Sequence, residues 1–170
     1  GVAFALGDSG DTFTVPSGAT ITNNGTATGF GGGKVLQVVQ DTLATEFNTS
    51  SSSFVEVTGL TVDITPSATS SKVLILLHGC MYANSGSGYN YVPTIYRNQT
   101  TNLGDSSNGF GSMRTGSSTM GSFVALSYLD SPSTTSATTY SYYFKISAGT
   151  GYMSYNTNSV STIQVLEIGA

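Results

Sequence analysis

Residues 121–146 read GSFVALSYLDSPSTTSATTYSYYFKI and hold the clearest strand pattern in the chain. From residue 140 onward the side chains alternate strictly, with the two-residue period of a half-buried strand. One side of this alternation consists of Tyr140, Tyr142, Phe144 and Ile146, and the other of Ser141, Tyr143 and Lys145. The run 123–130 also has strand composition, and the Pro, Ser and Thr residues of 131–138 separate the two runs. The stretch is therefore predicted to be a β-hairpin. The side that contains Tyr140 is expected in the core, where buried tyrosine hydroxyls need partners.

The composition favours an all-β protein with many loops. Charged residues make up only 8% of the 170 residues, whereas 26 are Ser and 25 are Thr, so hydroxyl groups must form much of the polar surface. Helices usually draw on Ala, Leu, Glu, Lys and Arg, but Lys and Arg together number 5. The 10 Tyr, 8 Phe and repeated Val and Ile runs indicate a folded chain rich in strands. Only residues 42–48 are compatible with a short helical turn.

Further strands are predicted at short spacing. Residues 72–82, KVLILLHGCMY, are apolar on both faces and are predicted to be the central strand of a packed sheet. Gly59 interrupts the strand pattern of residues 54–66, where a bulge would suit glycine. Asn98 and Gln99 are expected to form a turn. Other strands are predicted at residues 34–41, 92–97, 152–155 and 162–168. About eight to ten short strands without helices predict a jelly-roll-like β-sandwich.

Two segments of the chain resemble each other. LTVDITPSATSSKVLILL begins at Leu60 and LSYLDSPSTTSATTYSYYF begins at Leu126, and each reads as strand, Pro-Ser turn and strand. The two segments are either similar hairpins within a jelly roll or similar turns that have converged on the same residue types.

The chain is predicted to have two parts. Residues 1–33 hold short apolar pieces between turn-forming residues and end in a flexible glycine linker, which predicts a short extended β leader. Such short strands are expected to pack against copies of themselves or against the main domain. Residues 34–170 are predicted to form the sandwich head domain. The sequence has no run of about 18 apolar residues, so membrane insertion is not expected.

The charges and the scarcity of reactive side chains argue against several functions. The basic residues are scattered singly and the formal net charge is -4, so nucleic-acid binding is not expected. Cys80 is the only cysteine and is predicted to be a buried, inert thiol. His78 is predicted to be a hydrogen-bonded core or sheet residue. No cofactor, metal site or enzymatic activity is predicted.

A glycan-cleaving enzyme remains an alternative. Such an enzyme would need paired carboxylates, and nothing in the spacing of the acidic residues recommends a particular pair. The residues that could meet in space are Asp63, Asp105, Asp130 and Glu167.

The longest predicted loops, residues 83–90 and 99–121, combine aromatic, amide and charged side chains. Proteins bind sugars by packing aromatic rings against them while Asn, Asp and Arg side chains bond to the hydroxyls, so this composition predicts a carbohydrate site. Its candidate residues are Tyr82, Tyr89, Tyr91, Asn84, Asn90, Arg97, Asp105 and Arg114. The alternative is that these tyrosines only cover the edges of the sheets.

Several phrases resemble a known family. KVLQVVQ, SFVEVTGLTVDITPSATSSKVLI, GSFVALSYLDSPSTTSATTYSYYFKI and STIQVLEI resemble the C-terminal domain of tail-fibre and other virion-surface proteins of bacteriophages, especially those of marine and cyanobacterial hosts. The leader GDTFTVPSGATITNNGTATGFG is similar to the segment that often precedes this domain. The resemblance implies a homotrimeric fibre tip on the virion that contacts other virion proteins and binds host-surface carbohydrate.

Two functions follow as hypotheses. The first is a receptor-binding head domain, and the second is a capsid or tail decoration protein with a purely structural role.

Overall fold

A computed structural model describes residues 14–20, 34–84, 88–114, 116, 119–155 and 159–169. The chain divides into two compact units, Gly1–Gly31 and Gly32–Ala170. The strands predicted for the leader lie mostly outside the described residues. In the short described part of the leader, the Ala19 N–H donates to the Pro16 carbonyl at 3.1 Å and closes a turn. The described residues contain no helix that is long and apolar enough to cross a membrane.

Strands make up the regular structure of the described part of the second unit, and no α-helix occurs there. The strands are β1 (Val35–Leu43), β2 (Phe47–Thr49), β3 (Val55–Ile64), β4 (Lys72–Asn84), β5 (Asn90–Arg97), β6 (Thr101–Asn102), β7 (Met113–Arg114), β8 (Met120–Asp130), β9 (Thr138–Ile146), β10 (Thr150–Met153) and β11 (Ser161–Ile168). The helical turn considered for residues 42–48 is wrong. The end of β1 pairs with β11 and β2 pairs with β10, so neighbouring strands supply the hydrogen bonds that a helical turn would make within itself.

The strands form two antiparallel sheets that pack as a sandwich. In sheet A the order is β1, β11, β4 and β8. At one end of this sheet, β2 continues the position of β1 and β10 continues the position of β11. In sheet B the order is β3, β9 and β5, with β6 and β7 both pairing with the far edge of β5. If each interrupted strand is taken as one, the chain has eight strand positions. Sheet A contains the first, eighth, third and sixth of them, and sheet B the second, seventh, fourth and fifth. This is the strand order of a jelly roll, so the predicted jelly-roll-like β-sandwich is confirmed.

The predicted hairpin at residues 121–146 is wrong, although both of its strands exist. β8 pairs with β4 in sheet A, from Asp130 opposite Val73 to Met120 opposite Ala83. β9 instead lies between β3 and β5 in sheet B. The polar segment between β8 and β9 therefore crosses from one sheet to the other. The two-residue period identifies the faces of a strand but not the strands beside it. β8 and β9 each pair along their length with strands that are distant in sequence, and this pairing replaces the local hairpin. The similar segment between β3 and β4 also crosses between the sheets.

The inward face of β9 lies at the centre of the core, as predicted. The side chains fully buried there are Tyr140, Tyr142, Phe144 and Ile146. The ring of Phe144 stacks on Tyr91 with centroids 4.5 Å apart, and the hydroxyls of Tyr91 and Tyr142 lie 3.2 Å apart. Burial of each large apolar side chain contributes about 1.5 to 3 kcal/mol to folding, so this face is a major source of stability.

β4 is the central strand of sheet A, as predicted, but only one of its faces is fully buried. Val73, Ile75 and Leu77 point into the core. The alternate residues point outward, where His78 is exposed and Cys80 is half-buried. The prediction of a buried thiol is therefore wrong, and His78 is a sheet residue outside the core.

Two predicted irregularities are present. Gly59 has a φ of 94°, and the pairing of β3 with β9 shifts register between Glu56 and Thr61, as expected for a bulge. Asn98 and Gln99 have φ values of 51° and 59° and form the predicted turn after β5.

A buried carboxylate fixes the crossover from β8 to β9. Asp130 ends β8, is only 6% exposed, and accepts hydrogen bonds at 2.9 and 2.8 Å from Nη1 of Arg97, which ends β5. Oη of Tyr140 in β9 donates to the same carboxylate at 2.7 Å. Burial, followed by this hydrogen bond, raises the pKa of Tyr140 well above its ordinary value, so the hydroxyl stays protonated. One carboxylate thus joins strand ends from both sheets.

Glu167 holds the crossover from β3 to β4 in the same way. Its Oε1 accepts hydrogen bonds from the N–H and Oγ of Ser67 at 2.7 and 2.6 Å, and its Oε2 accepts one from Nε2 of Gln37 at 2.6 Å. Burial raises the pKa of Glu167, but hydrogen bonds from Ser67 and Gln37 outweigh burial and lower it to about 2. The ionised carboxylate therefore ties the crossover to β11 and β1.

We expect Asp130→Asn to lower the free energy of unfolding by about 2 to 4 kcal/mol, because the variant leaves the Arg97 guanidinium without its counter-charge. Urea denaturation measures this loss. Asp63→Asn is the matched control, since Asp63 is exposed and accepts one hydrogen bond from Thr139. Equal losses in the two variants would contradict the role given to Asp130.

The stabilisation by Glu167 should depend on pH. Because its pKa in the folded protein lies below the ordinary value of 4.5, the stabilisation is complete above about pH 4.5 and is lost as the pH falls toward about 2. Glu167→Gln should therefore be less stable than the parent protein at neutral pH, and the difference should narrow over this acid range. A difference in unfolding free energy that stays constant with pH would refute this linkage.

Candidate functional site

Three aromatic rings in contact lie on the outer face of sheet B. We call Phe54, Tyr96 and Tyr143 the aromatic patch. The ring centroids of Phe54 and Tyr96 are 6.2 Å apart, and those of Tyr96 and Tyr143 are 4.2 Å apart. Tyr143 points outward because its neighbours Tyr142 and Phe144 occupy the core. Each ring of the patch is half-buried, so each keeps part of its surface open to solvent.

Hydrogen-bonding groups surround the aromatic patch. The Glu56 carboxylate accepts hydrogen bonds from Oη of Tyr143 at 3.2 Å, Oγ1 of Thr61 at 3.1 Å and Nε2 of Gln99 at 3.3 Å. Burial raises the pKa of Glu56, but hydrogen bonds led by that from Ser141 outweigh burial and lower it. Burial, followed by the charge of Glu56, raises the pKa of Tyr143 to about 12. At neutral pH this surface therefore presents an ionised carboxylate beside a neutral phenol.

A polar groove of about 240 Å³ continues the patch. Its lining includes Ser52, Asn90, Ser107, Asn108, Ser112 and Lys145. Lys145 connects the two surfaces, because it lines the groove while its ammonium group lies 4.6 Å from the centroid of the Phe54 ring. We call the patch and the groove together the sheet-B site.

The loop between β6 and β7 forms one wall of the groove. Asp105 shapes this loop by accepting hydrogen bonds from the N–H groups of Asn108 at 2.7 Å and Ser107 at 2.9 Å, and these bonds lower the pKa of Asp105. Gly109 has a φ of 53°, and a Cβ at this position would lie 2.2 Å from the carbonyl oxygen of Pro93 in β5. Glycine therefore allows the loop to lie directly against sheet B.

The structure brings part of the predicted site to this groove. Asn90 lines the groove, and Asp105 holds the loop that forms its wall. Tyr89 precedes Asn90 in the chain, and the exposed Arg114 is the cross-strand partner of Asn90. These four residues therefore lie in or beside the sheet-B site.

Two predicted site residues have other positions. Tyr91 is fully buried, and its hydroxyl pairs with that of Tyr142 in the core, so Tyr91 does not face solvent. Arg97 lies at the other end of β5 from Asn90 and is held by Asp130. The sequence does not reveal these positions, because the inward and outward faces of β5 are both rich in apolar and aromatic residues.

The remaining predicted residues lie on the other sheet. Tyr82 points outward from sheet A and stacks on Tyr155, with centroids 3.9 Å apart and an interplanar angle of 12°. Tyr152 meets Tyr82 edge to face at 5.8 Å, and Asn84 ends the same strand as Tyr82. These residues are therefore separate from the sheet-B site.

Several site residues on or beside the strands of sheet B were not predicted as site residues. Phe54 directly precedes β3 and Glu56 lies in β3. Tyr143 and Lys145 alternate with the buried residues of β9. The outward side of the alternation in β9 is the sequence feature that could have indicated these residues. It carries an aromatic residue, Tyr143, and a charged residue, Lys145, where a face in contact only with solvent would carry small polar residues. The predicted site residues lie in or near the two longest loops, so the prediction does not include this face of β9.

The acidic residues do not gather into a metal centre in the described part of the chain, where no group of three or more His, Cys, Asp or Glu residues is suitably placed. The four carboxylates considered as a catalytic pair each make separate contacts. Asp130 binds Arg97, Glu167 binds Ser67, Asp63 binds Thr139, and Asp105 binds its own loop.

Comparisons with known proteins supply no family. No protein-family model and no curated protein matches the chain. Two solved structures of infectious bursal disease virus show weak similarity. A chain of the Gx strain is 14% identical with a TM-score of 0.39, and a chain of the T13 viral particle is 13% identical with a TM-score of 0.37. The matches cover 78% of this chain but only 40% and 37% of those chains. At these values the similarities carry no inference about function.

Gly109→Ala should displace the loop that walls the groove, because a left-handed φ costs a non-glycine residue about 1 to 2 kcal/mol and the new methyl group also meets Pro93. Hydrogen exchange of the loop amides and the free energy of unfolding both report this change. The control is Gly116→Ala, since a Cβ at Gly116 has no heavy atom within 4 Å. Unchanged exchange in Gly109→Ala would show that the loop does not depend on this contact.

Proposed function

We propose that the chain is the head domain of a virion-surface adhesion protein and that its sheet-B site binds glycans on the host cell. The resemblance to the C-terminal domain of bacteriophage tail fibres supports this role. The observation that carries the proposal is the continuity of the aromatic patch with the polar groove through Lys145.

The chemistry of the sheet-B site suits a sugar. A sugar ring has an apolar C–H face that packs against an aromatic ring, and Tyr96 and Tyr143 offer such rings. Sugar hydroxyls both donate and accept hydrogen bonds, which matches the hydroxyls and amides of Ser107, Asn108 and Asn90.

The size of the site limits how much of a glycan it holds. The groove of about 240 Å³ lies just below the roughly 300 Å³ at which pockets for drug-sized ligands begin. We therefore place one sugar ring in the groove and further units of the glycan on the aromatic patch. Lys145 donates hydrogen bonds to the sugar from the junction between them.

The proposal includes a homotrimer displayed on the virion and anchored through other virion proteins, as the sequence resemblance implies. Binding needs no cofactor and no catalytic step. A domain that presents its site on the outer face of a rigid sheet can bind a surface glycan without changing shape.

A capsid or tail decoration protein is the second candidate. The exposed apolar side chains of sheet A favour this role, since Phe123 is 84% and Val38 59% exposed. Electron microscopy of intact particles separates the two roles. An adhesion domain lies at the end of a fibre with the sheet-B site exposed, whereas a decoration protein lies flat on the shell with the outer face of sheet A against it.

Tyr96→Ala should weaken glycan binding about fivefold, which corresponds to about 1 kcal/mol for a lost aromatic contact. A glycan array followed by calorimetry on the glycans that bind measures the effect. Tyr82→Ala is the matched control, because Tyr82 lies in the tyrosine cluster of sheet A. The proposal fails if the parent protein binds neither glycans nor host cells, or if the two variants bind equally.

A further inference from the structure

The outer face of sheet A carries a row of aliphatic side chains. The cross-strand pairs Val38–Leu166, Leu166–Leu74 and Leu74–Leu129 place four such residues side by side across the sheet. Val38 is 59% and Leu129 49% exposed, so the row ends in open apolar surface at both edges of the sheet. Paired residues in adjacent strands point to the same side, so the row is continuous.

The same face has a projecting ring and a depression. Phe123 in β8 is 84% exposed and pairs with Cys80 on the outward side of β4. A shallow depression of about 310 Å³ lies nearby, and its lining includes Leu76, His78 and Ala125. A phenyl ring from outside the molecule would fit there, and aromatic anchors in such depressions dominate many interfaces.

The edge of sheet A next to this ring is unprotected. β8 is 11 residues long and, among the described strands, pairs only with β4. Its one charged residue is Asp130, which is buried, and it contains no proline or lysine. Edge strands are normally protected by exposed charges, proline or bulges. A long edge without them is expected to be covered in the assembled protein.

We propose that a second copy of this chain covers the outer face of sheet A, with Phe123 of one copy seated in the depression of its neighbour. The projecting ring and the depression belong to one face of one molecule, so a neighbouring copy supplies a complementary surface. The residues that pair across the middle of the face include no Asp, Glu, Lys or Arg, so copies with net charge -4 meet there without repulsion between carboxylates.

The area of the face is sufficient for a stable contact. Four strands about 4.8 Å apart and about 11 residues long at roughly 3.3 Å per residue span about 700 Å². Specific protein interfaces bury roughly 600 to 1,000 Å² per partner, and the area of this face falls within that range. The contact is independent of glycan binding, because the sheet-B site lies on the opposite side of the sandwich.

The solution mass of the full chain tests this interface. Analytical ultracentrifugation over a range of concentrations should show two or more copies for the parent protein. Phe123→Ser and Leu129→Lys should each shift the dissociation midpoint at least tenfold toward the monomer. Both side chains are largely exposed, so the variants should keep the circular dichroism of the parent.

Phe54→Ser is the control for the mass measurement, because Phe54 lies on the other sheet and should leave the number of copies unchanged. Glycan affinity per subunit distinguishes a failure of this interface from a failure of the proposed function. Phe123→Ser should bind glycans with the same affinity per subunit as the parent protein. A monomeric parent protein would overturn the proposal. It would also fail if an oligomer kept the same mass in both Phe123→Ser and Leu129→Lys.

Discussion

Strand β9 lies between β3 and β5, so each of its side chains must point either into the sandwich or away from it. Tyr140, Tyr142 and Phe144 fill the core from one side. Tyr143 and Lys145 must then lie on the outer face, where they belong to the aromatic patch and the groove. The same alternation therefore builds the core and positions the sheet-B site, and a shift of one residue in register would destroy both.

Two of the few charged residues of the chain stabilise the segments that cross from one sheet to the other. Both crossovers rich in Pro, Ser and Thr lie at one end of the sandwich, and each is held by a carboxylate, Asp130 or Glu167. Because a buried carboxylate must be paired or hydrogen-bonded, these positions specify which strand ends meet. Both loop connections are thereby fixed without disulfides or helices.

The sequence predicted the strands and the faces of β9 well, because alternation and burial are local properties that a single strand reveals. It misplaced the partner of β8, since pairing depends on β4, more than 35 residues earlier in the chain. The composition of the long loops also placed Tyr91 and Arg97 in a binding site, whereas one fills the core and the other binds Asp130. The sheet-B site could not be assembled from loops alone, because Phe54, Glu56 and Tyr143 come together only through the pairing of β3 with β9.

Nuclear magnetic resonance of the isotope-labelled protein, titrated with fragments of host surface glycan, tests the central claim most directly. Binding at the sheet-B site predicts chemical-shift changes concentrated at Tyr96, Asn108, Tyr143 and Lys145. Changes confined to the Tyr82, Tyr152 and Tyr155 cluster of sheet A, or the absence of changes with glycans that the host displays, would contradict it.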